Sequence, residues 1–278
     1  STTSPTTGGT ITINATGNTS GYFGLRQNAS SVVAFNAISI TASAIGNHAY
    51  QLQGTNGKVL SSSDITINAT QGNWGLTMYD NTFIQSTKAN SLSTGNISIT
   101  SSGTSGGLHL NTTGGIYASS NTATPTATPT AGGTISINAT GVSSYGTEIA
   151  SGSLVSFGQI LLTTSSSGLE SLYLYGSGTV KSVGNFTMIG STSGVSQWGV
   201  YLKDSRVIQS TAGNISITST SSAGHGIYMS GGGLIAGNDT TTPTAGGNIT
   251  KDGGEAIIER GVVWSTSSNP TTSLKERR

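Results

Sequence analysis

A short motif recurs nine times along this chain: commonly a Gly or Asn, then apolar–polar–apolar residues, then Ser, Thr or Asn. It reads GGTITINAT at Gly8–Thr16, AISIT at Ala37–Thr41, DITINAT at Asp64–Thr70, GNISITS at Gly95–Ser101 and GGTISINAT at Gly132–Thr140. It returns as QILLTT at Gln159–Thr164, GNFTMIG at Gly184–Gly190, GNISITS at Gly213–Ser219 and GGNIT at Gly246–Thr250. The leading apolar residues, from Ile11 to Ile249, are spaced by 27, 27, 32, 38, 25, 26, 29 and 34. The two longest gaps hold Thr/Pro insertions, NTATPTATPTA (Asn121–Ala131) and NDTTTPTA (Asn238–Ala245). Without them the period settles near 27 residues, which makes repetition the first constraint on the fold.

Each period carries two further runs. The second begins with GLRQ (Gly24–Gln27) and ends with GIYM (Gly226–Met229); the third begins with SVVAF (Ser31–Phe35) and ends with GLIAG (Gly233–Gly237). Period-two alternation interrupted by Gly, Asn and Ser predicts three strands and three corners per period. Strands this short are unstable alone, so each must pair with its copy in the next turn, one face buried and the other wet. The expectation is an all-β chain, a parallel β-helix or β-solenoid of eight to nine coils in three sheets, roughly 40 Å long at about 4.8 Å per coil.

A longer repeat lies above the first. WGLTMYDNTFIQST (Trp74–Thr87) matches WGVYLKDSRVIQST (Trp198–Thr211), which predicts two four-coil blocks, about 8–131 and 132–247, within a solenoid domain of residues 1–247. Residues 248–278 admit two readings, a ninth coil or cap built from NIT, EAIIE and VVWS, or the truncated start of a different module. The capping reading stands ahead, because the charges concentrated there would blunt an open strand edge.

The GGTITINAT-type repeats, over about Gly8 to Thr250, resemble the β-strand-repeat regions of filamentous-haemagglutinin-type adhesins and autotransporter passengers. That resemblance implies secretion, a right-handed parallel β-helix, and a role in adhesion or surface filaments; it carries no site motif. GGEAIIERGVVWSTSSNPT (Gly253–Thr271) resembles the opening strands of fibronectin-type-III-like modules of bacterial surface proteins.

A net charge of +1 gives no electrostatic footprint for nucleic acid. No apolar stretch approaches the roughly 20 residues of a membrane span, and without Cys there is neither a disulfide nor a thiolate metal site. Ten acidic residues offer no converging pair of the kind that glycoside chemistry needs. Asp80 and Asp204 are equivalent positions four coils apart; Glu148 and Glu170 fall at a strand centre and a corner. His48, His109 and His225 lack ligand spacing. The chain is therefore expected to be no enzyme, with no catalytic, cofactor or metal residues.

Two outward rows merit attention. Along the first strands, Thr12, Ser39, Thr66, Ser98, Ser136, Leu161, Thr187, Ser216 and Thr250 resemble the flat Thr ladder of ice-binding solenoids only in part, and cross-strand hydroxyl pairing accounts for them. Along the second strands, Tyr173, Tyr201 and Tyr228, with Tyr175 and Lys203 one step along, predict a stacked platform that either stabilises the sheet or takes a glycan or partner protein. Asn238 is the favoured acceptor among the Asn-X-Ser/Thr sequons. The functional expectation is an extracellular stalk or passenger segment of a cell-surface adhesin. The alternative is a filament subunit that stacks end to end with itself, and a carbohydrate-binding or polysaccharide-degrading helix ranks third.

Overall fold

Alternation at the first runs puts two large aliphatics and one small residue on the same side of each strand. Ile38, Ile40 and Ala42, then Ile65, Ile67 and Ala69, then Ile135, Ile137 and Ala139 are at most 1% exposed. The intervening Thr41, Asn68 and Asn138 face solvent. The computed structural model describes residues 7–87, 95–120, 130–194, 198–238 and 249–252. In it the chain is a parallel β-solenoid of eight coils and the first strand of a ninth, with no helix among the described residues.

First strands at Ile11–Gly17, Ile38–Ala44, Ile135–Gly141, Ile160–Ser166, Phe186–Thr192 and Ile215–Ser221 stack on their neighbours in the coils before and after. Ile11, Ile38, Ile65, Ile97, Ile135, Ile160, Phe186, Ile215 and Ile249 pair in one continuous register. Every position read from the repeat thus occupies the same place in its coil. Ile249–Asp252 pairs with the first strand of coil eight and opens a ninth coil. The remainder of that expectation, from Gly253 on, and most of both Thr/Pro insertions lie outside the described residues.

The three expected sheets are hydrogen-bonded as two. In coils three and four the first and second strands run on as single strands, Ile65–Asp80 and Ile97–Thr112. Register shifts between Ala69 and Trp74 absorb the bend there, as a bulge does when it turns a strand without ending its pairing. First and second strands therefore form one 15-stranded sheet, and the eight third strands another.

The third strands also depart from simple alternation. Their outward row is buried at Leu60, Gln85, Tyr117, Val155 and Lys181, alongside the inward row Val59, Ile84, Ile116, Leu154 and Val180. Consecutive apolar residues (Val59-Leu60, Ile116-Tyr117, Leu154-Val155) are the sequence mark of a strand covered on both sides.

Polar side chains close the corners. The side-chain oxygens of Asn and Asp just ahead of the first strands accept N–H donors from the next coil: Asn96 N to Asp64 Oδ1 at 2.7 Å, Thr134 N to Asn96 Oδ1 at 2.8 Å, Asn214 N to Asn185 Oδ1 at 2.9 Å. This ladder is why Asn or Asp so often precedes the apolar run. At the same corner the buried hydroxyls of Ser61, Ser156 and Ser210 donate to the carbonyls of Asn36, Gly133 and Gly184. The block duplication reappears in detail. Asp80 and Asp204 adopt the same left-handed backbone (φ 60° and 61°) and accept the amides of Gly54 and Gly176 at 2.7 and 3.0 Å.

Candidate binding surface

Second strands carry Leu25, Tyr50, Leu76, Leu108, Thr147, Leu172, Val200 and Ile227 inward, so the next residue of each points outward. The resulting row is Arg26, Gln51, Thr77, His109, Glu148, Tyr173, Tyr201 and Tyr228, in register over all eight coils. Tyr173 and Tyr201 stack at 5.0 Å between ring centroids and 15° between planes. Tyr175 lies against Tyr173 at 4.4 Å, and Tyr228 is tilted by 46° to Tyr201 at 5.1 Å. Lys203 is hydrogen-bonded to the Tyr173 phenol, whose oxygen raises the pKa of the ammonium. All five residues of the expected platform are thus in one neighbourhood. Because the stack runs along the coil axis, inner rings close their faces on one another and present edges to solvent.

A second set of rings joins them from the corner before each strand. Trp198 meets Tyr201 edge-on at 4.4 Å and stacks on Tyr228 at 4.8 Å; His225 stacks on Tyr228 at 5.8 Å, and Tyr145 packs on Tyr173 at 5.3 Å. Toward the N-terminal end, His109 lies 5.1 Å from Trp74 and takes Tyr79 edge-on at 5.5 Å, while Phe23 stacks on His48 and under the Arg26 guanidinium. Gly106 makes this possible, since a Cβ there would fall 2.2 Å from the Trp74 ring. A corner aromatic three residues ahead of the outward position recurs in six of eight coils (Phe23, His48, Trp74, Tyr145, Trp198, His225). That spacing was the available signal for these rings.

Glu148 joins the two aromatic groups. Its Oε1 accepts the Tyr175 hydroxyl at 2.9 Å, and its Oε2 lies 3.6 Å from His109 Nε2. Burial raises the Glu148 pKa against the opposing effect of the Tyr175 hydrogen bond. Burial, helped by the Glu148 charge, raises that of Glu170 at the next corner. The Tyr145 phenol is pushed up to about 12 by burial and then by both carboxylates. Burial holds the His109 imidazole down to about 4, so it is neutral at pH 7 and its approach to Glu148 is no ion pair.

His109 therefore gives stability an acid dependence. Its folded pKa lies below the ordinary 6.5, so its contribution is complete above 6.5 and is lost as the pH falls to about 4. At 16% side-chain exposure the shift corresponds to ~3 kcal/mol. Glu148, with a raised pKa, acts in the opposite sense. His109→Gln should flatten the fall in urea midpoint between pH 7 and 4, and equal falls in variant and parent would reject this assignment.

Asn238 is exposed just after the third strand of coil eight; the rest of its sequon lies outside the described residues. Among the described residues no group of three or more His, Asp or Glu side chains is placed to hold a metal ion, and no helix is long and apolar enough to cross a membrane. Comparison with protein-family models, with curated proteins and with solved structures gives no match.

Proposed function

We propose that this chain is a rigid spacer, the stalk or passenger segment of a secreted bacterial cell-surface adhesin, that holds other parts of the protein away from the cell. The observation that carries this reading is the unbroken register of first strands across all eight coils. Each coil rests chiefly on its neighbours, so length is set by coil number and bending would break ladder hydrogen bonds. The outer face of the first strands, rich in Ser, Thr and Asn and nearly free of charge, suits a surface in constant contact with solvent. The role is structural, and no residue is assigned to catalysis.

Two measurements test it. Small-angle scattering of the purified chain should give a monodisperse rod whose eight coils span about 40 Å, and antibodies to it should label intact source cells. Fibres that lengthen with concentration would overturn the spacer in favour of the self-stacking filament. Labelling only after lysis would overturn the surface location.

A further inference from the structure

The aromatic strip runs parallel to the coil axis and repeats its outward groups every coil, at about 4.8 Å. We propose that it binds a neutral, extended β-linked glycan chain lying along that axis, with Glu148 fixing the register. One pyranose unit of such a chain advances by close to one coil. Successive β-1,4 units alternate by a half turn, so each coil meets a hydroxyl of one unit and the same hydroxyl returns at every second coil.

The chemistry of the strip selects this partner. Tyr173, stacked between Tyr145 and Tyr201, has spent its faces on its neighbours and offers an edge that carries a hydroxyl. Such edges recognise a partner through hydrogen bonds, and a glycan supplies hydroxyl groups at every unit. Glu148 is 12% exposed; Tyr175 fills one position on Oε1, whereas the Oε2 approach to His109 at 3.6 Å is too long for a hydrogen bond. That oxygen is an acceptor aimed into the strip, and a sugar hydroxyl satisfies it. At the other end Tyr228, with Trp198 and His225 stacked on its ring, is 36% exposed and offers its hydroxyl-bearing edge to the chain. An acidic glycan would meet Glu148 at the centre, and of the strip's cations Arg26 lies over the Phe23 ring while Lys203 is hydrogen-bonded to the Tyr173 phenol. A neutral chain meets no such conflict.

The inference uses the rod geometry and not the cellular location, so loss of glycan binding would leave the scattering result intact. The probes are hexaoses of β-1,4-linked glucose, N-acetylglucosamine and mannose, their disaccharides, and maltohexaose as a coiled α-linked control, titrated calorimetrically against the full chain. At least one β-linked hexaose should bind, at least about fivefold tighter than its disaccharide and than maltohexaose. Glu148→Gln and Tyr201→Phe, which keep the rings and the fold, should each weaken it by about five- to tenfold, the worth of one hydrogen bond. Affinity should change little as salt is raised from about 0.05 to 0.5 M. Failure of every β-linked hexaose, equal affinity for disaccharide and hexaose, or unaltered binding in both variants would overturn the proposal. So would affinity that collapses with salt, since it would reveal an ionic partner.

Discussion

Ile215→Asp should unravel coils seven and eight, while Ser216→Asp, one residue along, should leave the rod intact. Ile215 is fully buried, in register with Phe186 of coil seven and Ile249 of the ninth coil's first strand. Removing a buried Ile and its contacts costs about 2–5 kcal/mol, and placing a carboxylate in the same dry site adds several more. The sum is comparable to the whole stability of an ordinary domain, about 5–15 kcal/mol. In a solenoid the damage is local, because each coil depends on its two neighbours. Ser216 is half-buried on the outward side of its strand, in register with Thr187 and Thr250, where a substitution should fall within about 0.5 kcal/mol. Hydrogen exchange read by peptide should show protection lost around 186–236 in the Ile215 variant and kept over coils two to five. Equal effects from the two variants would reject the alternation on which the solenoid rests.

That contrast is legible from the repeat alone, as are the register of all nine first strands and the neighbourhood of Tyr173, Tyr201 and Tyr228. Periodicity encodes which residues share a row, and in a solenoid a row is already a structure. What it does not encode is the corner. The angle at which the chain turns decides that Trp198 reaches both Tyr201 and Tyr228, that Trp74 lies over Gly106, and that coils three and four carry one strand through the bend. None of these follows from a two-residue alternation. The outward burial of Leu60, Tyr117 and Val155 was written in consecutive apolar pairs, yet such pairs in a five-residue run also read as loose alternation. The chemistry of Glu148 was hidden for a different reason. As a lone carboxylate at a strand centre it reads as solvated, and only the stacked coils bring Tyr175 and His109 against it. The buried corner hydroxyls of Ser61, Ser156 and Ser210 were masked in the same way by a composition in which Ser is everywhere.

Arg206 departs from the general rule that an arginine ahead of a short strand is exposed. Here it is 2% exposed, and its guanidinium donates through Nη1 to the Ser177 carbonyl and through Nη2 to the Gly152 carbonyl. One side chain of coil seven thereby ties the corners of coils six and five. Gly178 leaves the room, with φ at +127° and a Cβ position only 2.7 Å from Nη1. Burial lowers the Arg206 pKa to about 10, so the charge is kept at neutral pH. Two opposed quantities decide what removal does. Hydrogen bonds from a charged donor are worth about 1.5–3 kcal/mol each, and carbonyls left bare in a corner add to the loss. Against that, deleting a buried charge relieves its desolvation, which in some proteins outweighs the bonds; the Nε, buried without a partner, belongs to this side. Two carbonyls satisfied by one rigid fork tip the balance toward loss. Arg206→Ala should destabilise by about 2–4 kcal/mol, and Arg206→Thr should not rescue, although Thr82 fills the equivalent place in the first block by donating to its own coil at Tyr79. Arg206→Lys should recover only part, because an ammonium lacks the fork. The urea midpoint and exchange protection over residues 150–182 report the effect; unchanged or higher stability in Arg206→Ala would mean that desolvation wins and that the corner is held by the backbone ladder alone.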